Sequence, residues 1–295
     1  IETESDLIER MTTPSPAVTE AVAKLQGKVM ILGVAGKMGP SLGELLVRAG
    51  ACEVVGVSRF SNPGDKAYLE KRGVRTIQCD LLNDGDLKRL PDAAHIVLMA
   101  GFKFGSSGDP SGAWAANALL PAKVLQRFPE SRIIYLSTGN VYPFTPVSGN
   151  GANESHPVAP VGEYAQSRLG GERLAEHCSE RNGTPLCIVR LFYASELRYG
   201  IVLDLAQRVW ERIPIDLAMG YVNQIWQGDA NAYLARMFPL CGSPARVINL
   251  TGEQVLSVRA LAEDLGEIMN VEPIFQRREG DTALLGDATA LFDRL

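Results

Sequence analysis

An α/β fold built on a doubly wound parallel sheet is predicted by three observations. From Lys28 onward, short apolar runs of strand length alternate with amphipathic stretches of helix length. The first such passage is a strand, then glycines at positions 33, 36 and 39, then a helix. A later strand carries two hydroxyl residues, Ser137 and Thr138, at its C-terminal end, the edge where open parallel sheets bind ligands.

Residues 1–27 read as an N-terminal helical extension of two short helices, the second starting from Ser15 as N-cap with Pro16 in the first helical position. The extension is expected to pack outside the main fold. Strands are expected at 29–32, 53–57, 75–78, 95–99 and 132–136, each a short apolar run bounded by polar or turn residues. Between them, 41–48, 67–72, 113–127 and 162–181 carry helical periodicity. Beyond Cys187 the alternation loosens into a strand at 188–191, helices near 201–212 and 229–238, and a strand at 247–250. Residues 28–187 are thus read as a nucleotide-binding domain. Residues 188–295 are read mainly as a smaller, interleaved substrate lobe, with strands near 188–192 and 246–251 returning to the sheet.

The 295 residues suffice for one large α/β unit with a substantial core, and 46% apolar with 21% charged residues is ordinary for a globular chain. A net charge of -5 with scattered Lys and Arg gives no field for polyanions, so nucleic acid is not an expected partner. No apolar run is long enough to cross a bilayer, and residues 1–10 lack a signal peptide's basic start and apolar middle. No membrane association and a cytoplasmic location are therefore expected. The five cysteines are widely spaced and form no Cys-x-x-Cys pair, and the three histidines lie at no metal-ligand spacing, so no metal is expected.

The glycine passage places backbone N–H groups and a helix N-terminus where a pyrophosphate can dock, with Gly33, Gly36, Lys37, Met38 and Gly39 around it. At the end of the second strand, where an NAD enzyme offers an acid to the adenosine ribose, the chain has Ser58-Arg59 and no carboxylate. A guanidinium pairs with a 2'-phosphate, so NADP is the first choice of cofactor and NAD the second. Asp80, followed by Leu81, stands within reach of an adenine amine or, alternatively, caps a turn.

Tyr164 opens a helix and Arg168 lies one turn on, so both side chains occupy one face. A nearby cation favours phenolate over phenol, the condition for a tyrosine to exchange a proton with a substrate hydroxyl. Thr138 would hold that oxygen in line. With the glycine cradle, Asp80-Leu81, Ala100-Gly101 closing the fourth strand, Asn117 opening a helix, and Ser137-Thr138-x-x-Val141-Tyr142, the chain resembles the extended short-chain dehydrogenases, or NAD-dependent epimerase/dehydratases, from Lys28 onward. The resemblance implies a Rossmann sheet and a cofactor site that includes Ala100, Gly101, Ser137, Tyr164 and Arg168. It also implies Thr138 as the substrate-binding hydroxyl, Tyr164 as the acid/base, Asn117 as part of the catalytic set, and a homodimer formed through the helices containing Asn117 and Tyr164.

Three departures refine the reading. Arg168 stands where the family's lysine holds the nicotinamide ribose, keeping the charge but changing its shape. Gly139-Asn140 replaces the Asp-Glu pair of the 4,6-dehydratases, which disfavours that reaction. Tyr193 replaces an asparagine common in sugar-nucleotide enzymes, and Gly220-Tyr221-Val222-Asn223 offers no arginine to a substrate pyrophosphate. Asn140, Tyr193, Asn223 and Trp226, with Thr138, are the candidate substrate residues, suited to a less charged ligand such as a sugar or polyol. The expected activity is NAD(P)-dependent epimerisation or oxidoreduction of a secondary hydroxyl on a sugar-like or polyol substrate, with Tyr164 as acid/base. A non-catalytic NAD(P)-binding sensor, in which Arg168 marks decay of the proton device, is the alternative. Gly36-Lys37-Met38-Gly39 also resembles the start of dihydrodipicolinate reductases, which lack the Thr138 and Tyr164 arrangement.

Overall fold

The run Val29, Met30, Ile31 and Leu32 is apolar at every position instead of alternating, and all four side chains are completely buried. A strand of this kind needs cover on both faces. The computed structural model describes residues 1–103 and 105–295. In it this run belongs to β1 (Lys28–Leu32), which pairs in parallel with β2 (Glu53–Ser58) on one side and β4 (His95–Leu98) on the other. Next come β3 (Arg75–Gln78), parallel to β2, and β5 (Arg132–Thr138), parallel to β4. Strands Leu186–Leu191 and Arg246–Leu250 complete a seven-stranded sheet in the order β3, β2, β1, β4, β5, Leu186–Leu191, Arg246–Leu250. The order reverses at β1, and open α/β sheets form their ligand crevice at the carboxyl ends of such a switch point.

The chain divides into two compact units. The first comprises Ile1–Thr138, Val161–Val189 and Asn231–Val247. Its helices are α1 (Glu4–Thr12), α2 (Pro16–Ala23), α3 (Gly39–Arg48), α4 (Pro63–Lys71), α5 (Asp84–Arg89), α6 (Pro110–Trp114), α7 (Leu120–Arg127) and α8 (Gly162–Asn182). The second comprises Gly139–Pro160, Arg190–Ala230 and Ile248–Leu295. In it Tyr193–Ser195 pairs in parallel with Gln224–Trp226, and the helices Ile201–Trp210 and Val258–Met269 share a core around Leu205, Val209, Val222 and Ala262. Among the described residues, no helix is long and apolar enough to cross a membrane. Four of the five cysteines are buried, Cys52 is exposed, and all five are free thiols.

The N-terminal extension packs on α3: Leu7, Met11, Val18 and Val22 are buried, and Arg48 of α3 donates to both carboxylate oxygens of Glu9 at 2.8 and 2.6 Å. An apolar stripe on each short helix has to be covered, and α3 supplies a surface for it. Two local expectations are corrected. Asn117 does not open a helix but sits within a π-helical turn, Ala115–Leu119, inserted between α6 and α7, so the helical run begins at Pro110 instead of 113. The helix expected at 229–238 is Gln227–Arg236, followed by a 3-10 turn at Phe238–Leu240, because Pro239 ends the regular bonding.

The π turn packs against α8 at glycine contacts. A methyl on Gly171 would lie 2.0 Å from the Asn117 carbonyl oxygen and 2.6 Å from the Tyr135 hydroxyl, whereas one on Gly170 would first meet the Trp114 ring edge at 3.1 Å. Gly171→Ala is expected to destabilise by at least about 1–3 kcal/mol through overpacking. Gly170→Ala is expected to be neutral or to gain up to ~1 kcal/mol of helix propensity. Urea unfolding of the two variants checks this; equal midpoints would show that α8 and the π turn are not in fixed contact.

Candidate active site

The cradle is built by backbone bonds at the end of β1. Gly33 N–H and Val34 N–H both donate to the Val57 carbonyl, at 2.8 and 3.2 Å, and Gly36 N–H donates to Gly33 at 3.0 Å. Gly33 has φ +93°, and a Cβ there would stand 2.6 Å from the Ala100 nitrogen. A Cβ on Gly39 would stand 2.2 Å from the Val34 carbonyl oxygen. These two glycines are required by the chain's own packing. Gly36 differs: a Cβ there would meet only the Gly33 oxygen, at 3.3 Å, and otherwise open space. That open side, together with the α3 N-terminus that no side chain caps, suits a pyrophosphate bound by main-chain amides. The residues present therefore fit a dinucleotide, with Lys37 and Met38 in the same turn.

Asn231, a residue that sequence reasoning missed, braces this turn. It is fully buried and donates from Nδ2 to Ser41 Oγ at 2.9 Å and to the Met38 carbonyl at 3.4 Å. No local spacing announces a side chain that arrives from so far along the chain.

At the ribose end, Ser58 is half-buried and closes β2, while Arg59 is exposed and its carbonyl accepts from Gln78 Nε2 at 3.0 Å. Asp80 is exposed and forms a turn, its Oδ1 accepting from Leu82 N–H at 3.0 Å, while the Leu81 side chain lies in the sheet core. Met99 N–H and Ala100 N–H both donate to the Leu32 carbonyl at 2.9 Å, tying the end of β4 to the end of β1.

The residues expected to transfer a proton gather on β5, α8 and the π turn. Thr138 ends β5 and is 4% exposed; Ser137 beside it donates to Glu172 Oε1 at 2.6 Å. Tyr164 is half-buried in the first turn of α8. Arg168 is 5% exposed and donates to the Leu136 carbonyl and, at 3.4 Å, to Asn117 Oδ1, with its guanidinium over the Tyr135 ring at 5.1 Å. Gly101 makes room for it, since a Cβ there would lie 2.5 Å from Arg168 Nη1. Arg168 thus ties the helix of Tyr164 to the strand of Thr138. Its Nε is buried without a hydrogen-bond partner.

Asn117 links the group to the loop after β4. Its Oδ1 accepts from Phe102 N–H at 2.8 Å, and its Nδ2 donates to the Phe102 carbonyl at 2.9 Å and to Ser167 Oγ at 3.0 Å. The next residue, Lys103, lies with Nζ 5.7 Å from the centroid of the Tyr164 ring, a cation near that tyrosine which no spacing in the chain singled out. Tyr135 is the other tyrosine here. It is fully buried, donates to the Asn117 carbonyl at 3.1 Å, and has its phenol pushed up to about 12 by burial, with Arg168 pulling the other way. A phenol so placed holds its proton.

The candidate substrate residues of the second unit separate. Asn140 is half-buried in the 3-10 turn Gly139–Val141. Asn223 is 1% exposed, and its amide is held by main chain: Nδ2 donates to Gly286 at 2.6 Å and Gly252 at 3.3 Å, and Oδ1 accepts from Gly286 N–H at 3.2 Å. Tyr193 is half-buried, pairs across the strands with Gln224, and has its phenol raised by burial. Trp226 lines a cavity together with Gln224. Tyr142 forms part of the framework, accepting from Arg190 at 2.7 Å, donating to Asn249 Oδ1 at 2.9 Å and stacking on Phe192.

Comparison with known proteins agrees with this geometry. The UDP-glucuronic acid 4-epimerase of Bacillus cereus, solved with NAD, is 20% identical and superposes with a TM-score of 0.72 over 90% of each chain. The UDP-glucose 4-epimerase of Thermus thermophilus, also with NAD, is 19% identical with a TM-score of 0.73, covering 90% of this chain and 92% of that one. At such identities the likeness shows the fold. The 2-alkyl-3-oxoalkanoate reductase of Shewanella oneidensis is 28% identical over 173 residues, which span 56% of this chain and 42% of that protein. The model of the NAD dependent epimerase/dehydratase family matches residues 29–195, more than half of the chain. The cradle, the sheet and that match together identify the chain as a member of the NAD-dependent epimerase/dehydratase family.

Proposed function

We propose that the protein is a nicotinamide-dependent oxidoreductase or epimerase that interconverts a secondary hydroxyl and a ketone, with Tyr164 as acid/base and Thr138 as the residue that holds the substrate oxygen. The observation that carries this reading is the Arg168 bridge, which ties Tyr164's helix to Thr138's strand through the Leu136 carbonyl. A decayed site has no need of the space that Gly101 leaves for the guanidinium. The resemblance to a 3-oxoalkanoate reductase supports chemistry at a carbonyl carbon.

When bound, the nicotinamide supplies or accepts the hydride. Gly33, Gly36 and Gly39 would hold its pyrophosphate, and Arg59 is exposed at the end of β2, in position to meet a 2'-phosphate, which favours NADP. In the reductive direction Tyr164 gives its proton to the substrate oxygen as the carbonyl carbon is reduced; in the oxidative direction it takes that proton back. Lys103 places positive charge near the phenolate left behind. The half-burial of Tyr164 keeps the exchange open to a substrate, in contrast to Tyr135.

Two outcomes are expected. Saturating NADPH raises the thermal midpoint by mass action, and Arg59→Ala weakens NADPH about 10- to 100-fold while leaving NADH unchanged. A midpoint that ignores NADP, NADPH, NAD and NADH alike would remove the cofactor and the acid/base role with it. With a 3-oxo acid or keto-sugar that supports NADPH oxidation, Tyr164→Phe lowers kcat by about 10²- to 10⁴-fold at unchanged NADPH affinity. Full turnover in that variant would move the acid/base role elsewhere.

A further inference from the structure

The second unit holds a cavity of about 420 Å³ beside the paired strands Tyr193–Ser195 and Gln224–Trp226. That volume lies in the range of small-molecule sites. Leu197, Val202, Ile225, Trp226 and Leu256 supply apolar surface to its walls. No Lys, Arg or His is among its described lining residues. Its charged members are acidic. Glu196 is buried and accepts from Arg198 Nε at 3.1 Å and from Arg198 N–H at 2.9 Å, so the Arg198 guanidinium is already engaged with a carboxylate. Glu253 is exposed. Two polar atoms of the lining residues, Ser195 Oγ and Gln224 Oε1, are buried without a hydrogen-bond partner, and the uncharged Gln254 is exposed beside Glu253.

A diphosphate needs cations or directed amides to replace its hydration, and the Glu253 carboxylate opposes it. An uncharged aliphatic group loses nothing on entry and gains from each methylene removed from water. We propose that this cavity binds the uncharged, aliphatic part of a small molecule, an alkyl chain or a comparable apolar substituent, and excludes nucleoside diphosphates. The identification of that molecule as the substrate rests on the proposed function; the selectivity of the cavity does not.

The test uses the full chain and Trp226 emission, with the series from 2-pentanone to 2-nonanone as probes and UDP-glucose as the charged counterpart. Saturable binding of the alkanones is expected, tightening about fourfold per added methylene. The signal should vanish in Trp226→Phe, which identifies the reporter. Val202→Phe, which narrows the cavity, should weaken the longest alkanone most, and Leu197→Arg on the exposed rim should weaken the whole series. Affinity independent of chain length, a Trp226-dependent response to UDP-glucose, or no saturable response to either probe would overturn the assignment. Because NADPH-induced stabilisation is measured separately, loss of alkanone binding with that stabilisation intact condemns the cavity assignment alone. Loss of NADPH stabilisation with alkanone binding intact condemns the proposed function instead.

Discussion

The candidate site is organised around a guanidinium buried against one main-chain carbonyl. Taking an arginine out of water is costly unless its donors are met, and Arg168 meets Leu136 and Asn117 while lying over the Tyr135 ring. Several otherwise unrelated features follow from that placement. Gly101 has no side chain because the guanidinium fills the space. Gly171 has none because α8 must lie against the Asn117 carbonyl for Arg168 to reach β5. The π turn at Ala115–Leu119 lets Asn117 face the guanidinium and the loop after β4 at once, and such insertions in helices are frequent at functional sites.

The same network separates neighbouring residues into different tasks. Of two tyrosines near Arg168, Tyr135 is sealed in the core with its proton held, and Tyr164 is half-buried in the first turn of α8. Of two hydroxyls at the end of β5, Ser137 is committed to the buried Glu172, which fixes the strand end that presents Thr138. Burial separates the two tyrosines: a polar group in the interior must be satisfied by the protein, and one nearer the surface can be satisfied by a ligand.

A comparable separation occurs in the second unit. Asn223 and Trp226 are three positions apart and look equally suited to a pocket, yet the amide of Asn223 clamps Gly286 and Gly252 while Trp226 lines the cavity. Tyr142 is joined to Arg190, Asn249 and Phe192 and acts as a framework residue. The motif that ends in Val141-Tyr142 therefore combines the proposed substrate-holding position, Thr138, with a structural one. Gly139 between them is needed because a Cβ there would stand 2.5 Å from the Phe192 ring.

The alternation of strands and helices, the glycine turn after β1 and the hydroxyls at the end of β5 were all legible in the amino-acid order, because each is a local pattern of apolar spacing or turn chemistry. Ser15 as a cap with Pro16 behind it is legible for the same reason and is found as read. Folding in three dimensions was needed to turn Arg168 to Leu136, to place Asn117 in a π turn, to bring Lys103 to Tyr164, to brace the α3 turn with Asn231, and to make Asn223 a clamp. Those outcomes depend on which polar groups the fold buries together across long stretches of chain. The need to satisfy a buried donor or acceptor is a property of its three-dimensional surroundings, and residue spacing carries no record of it.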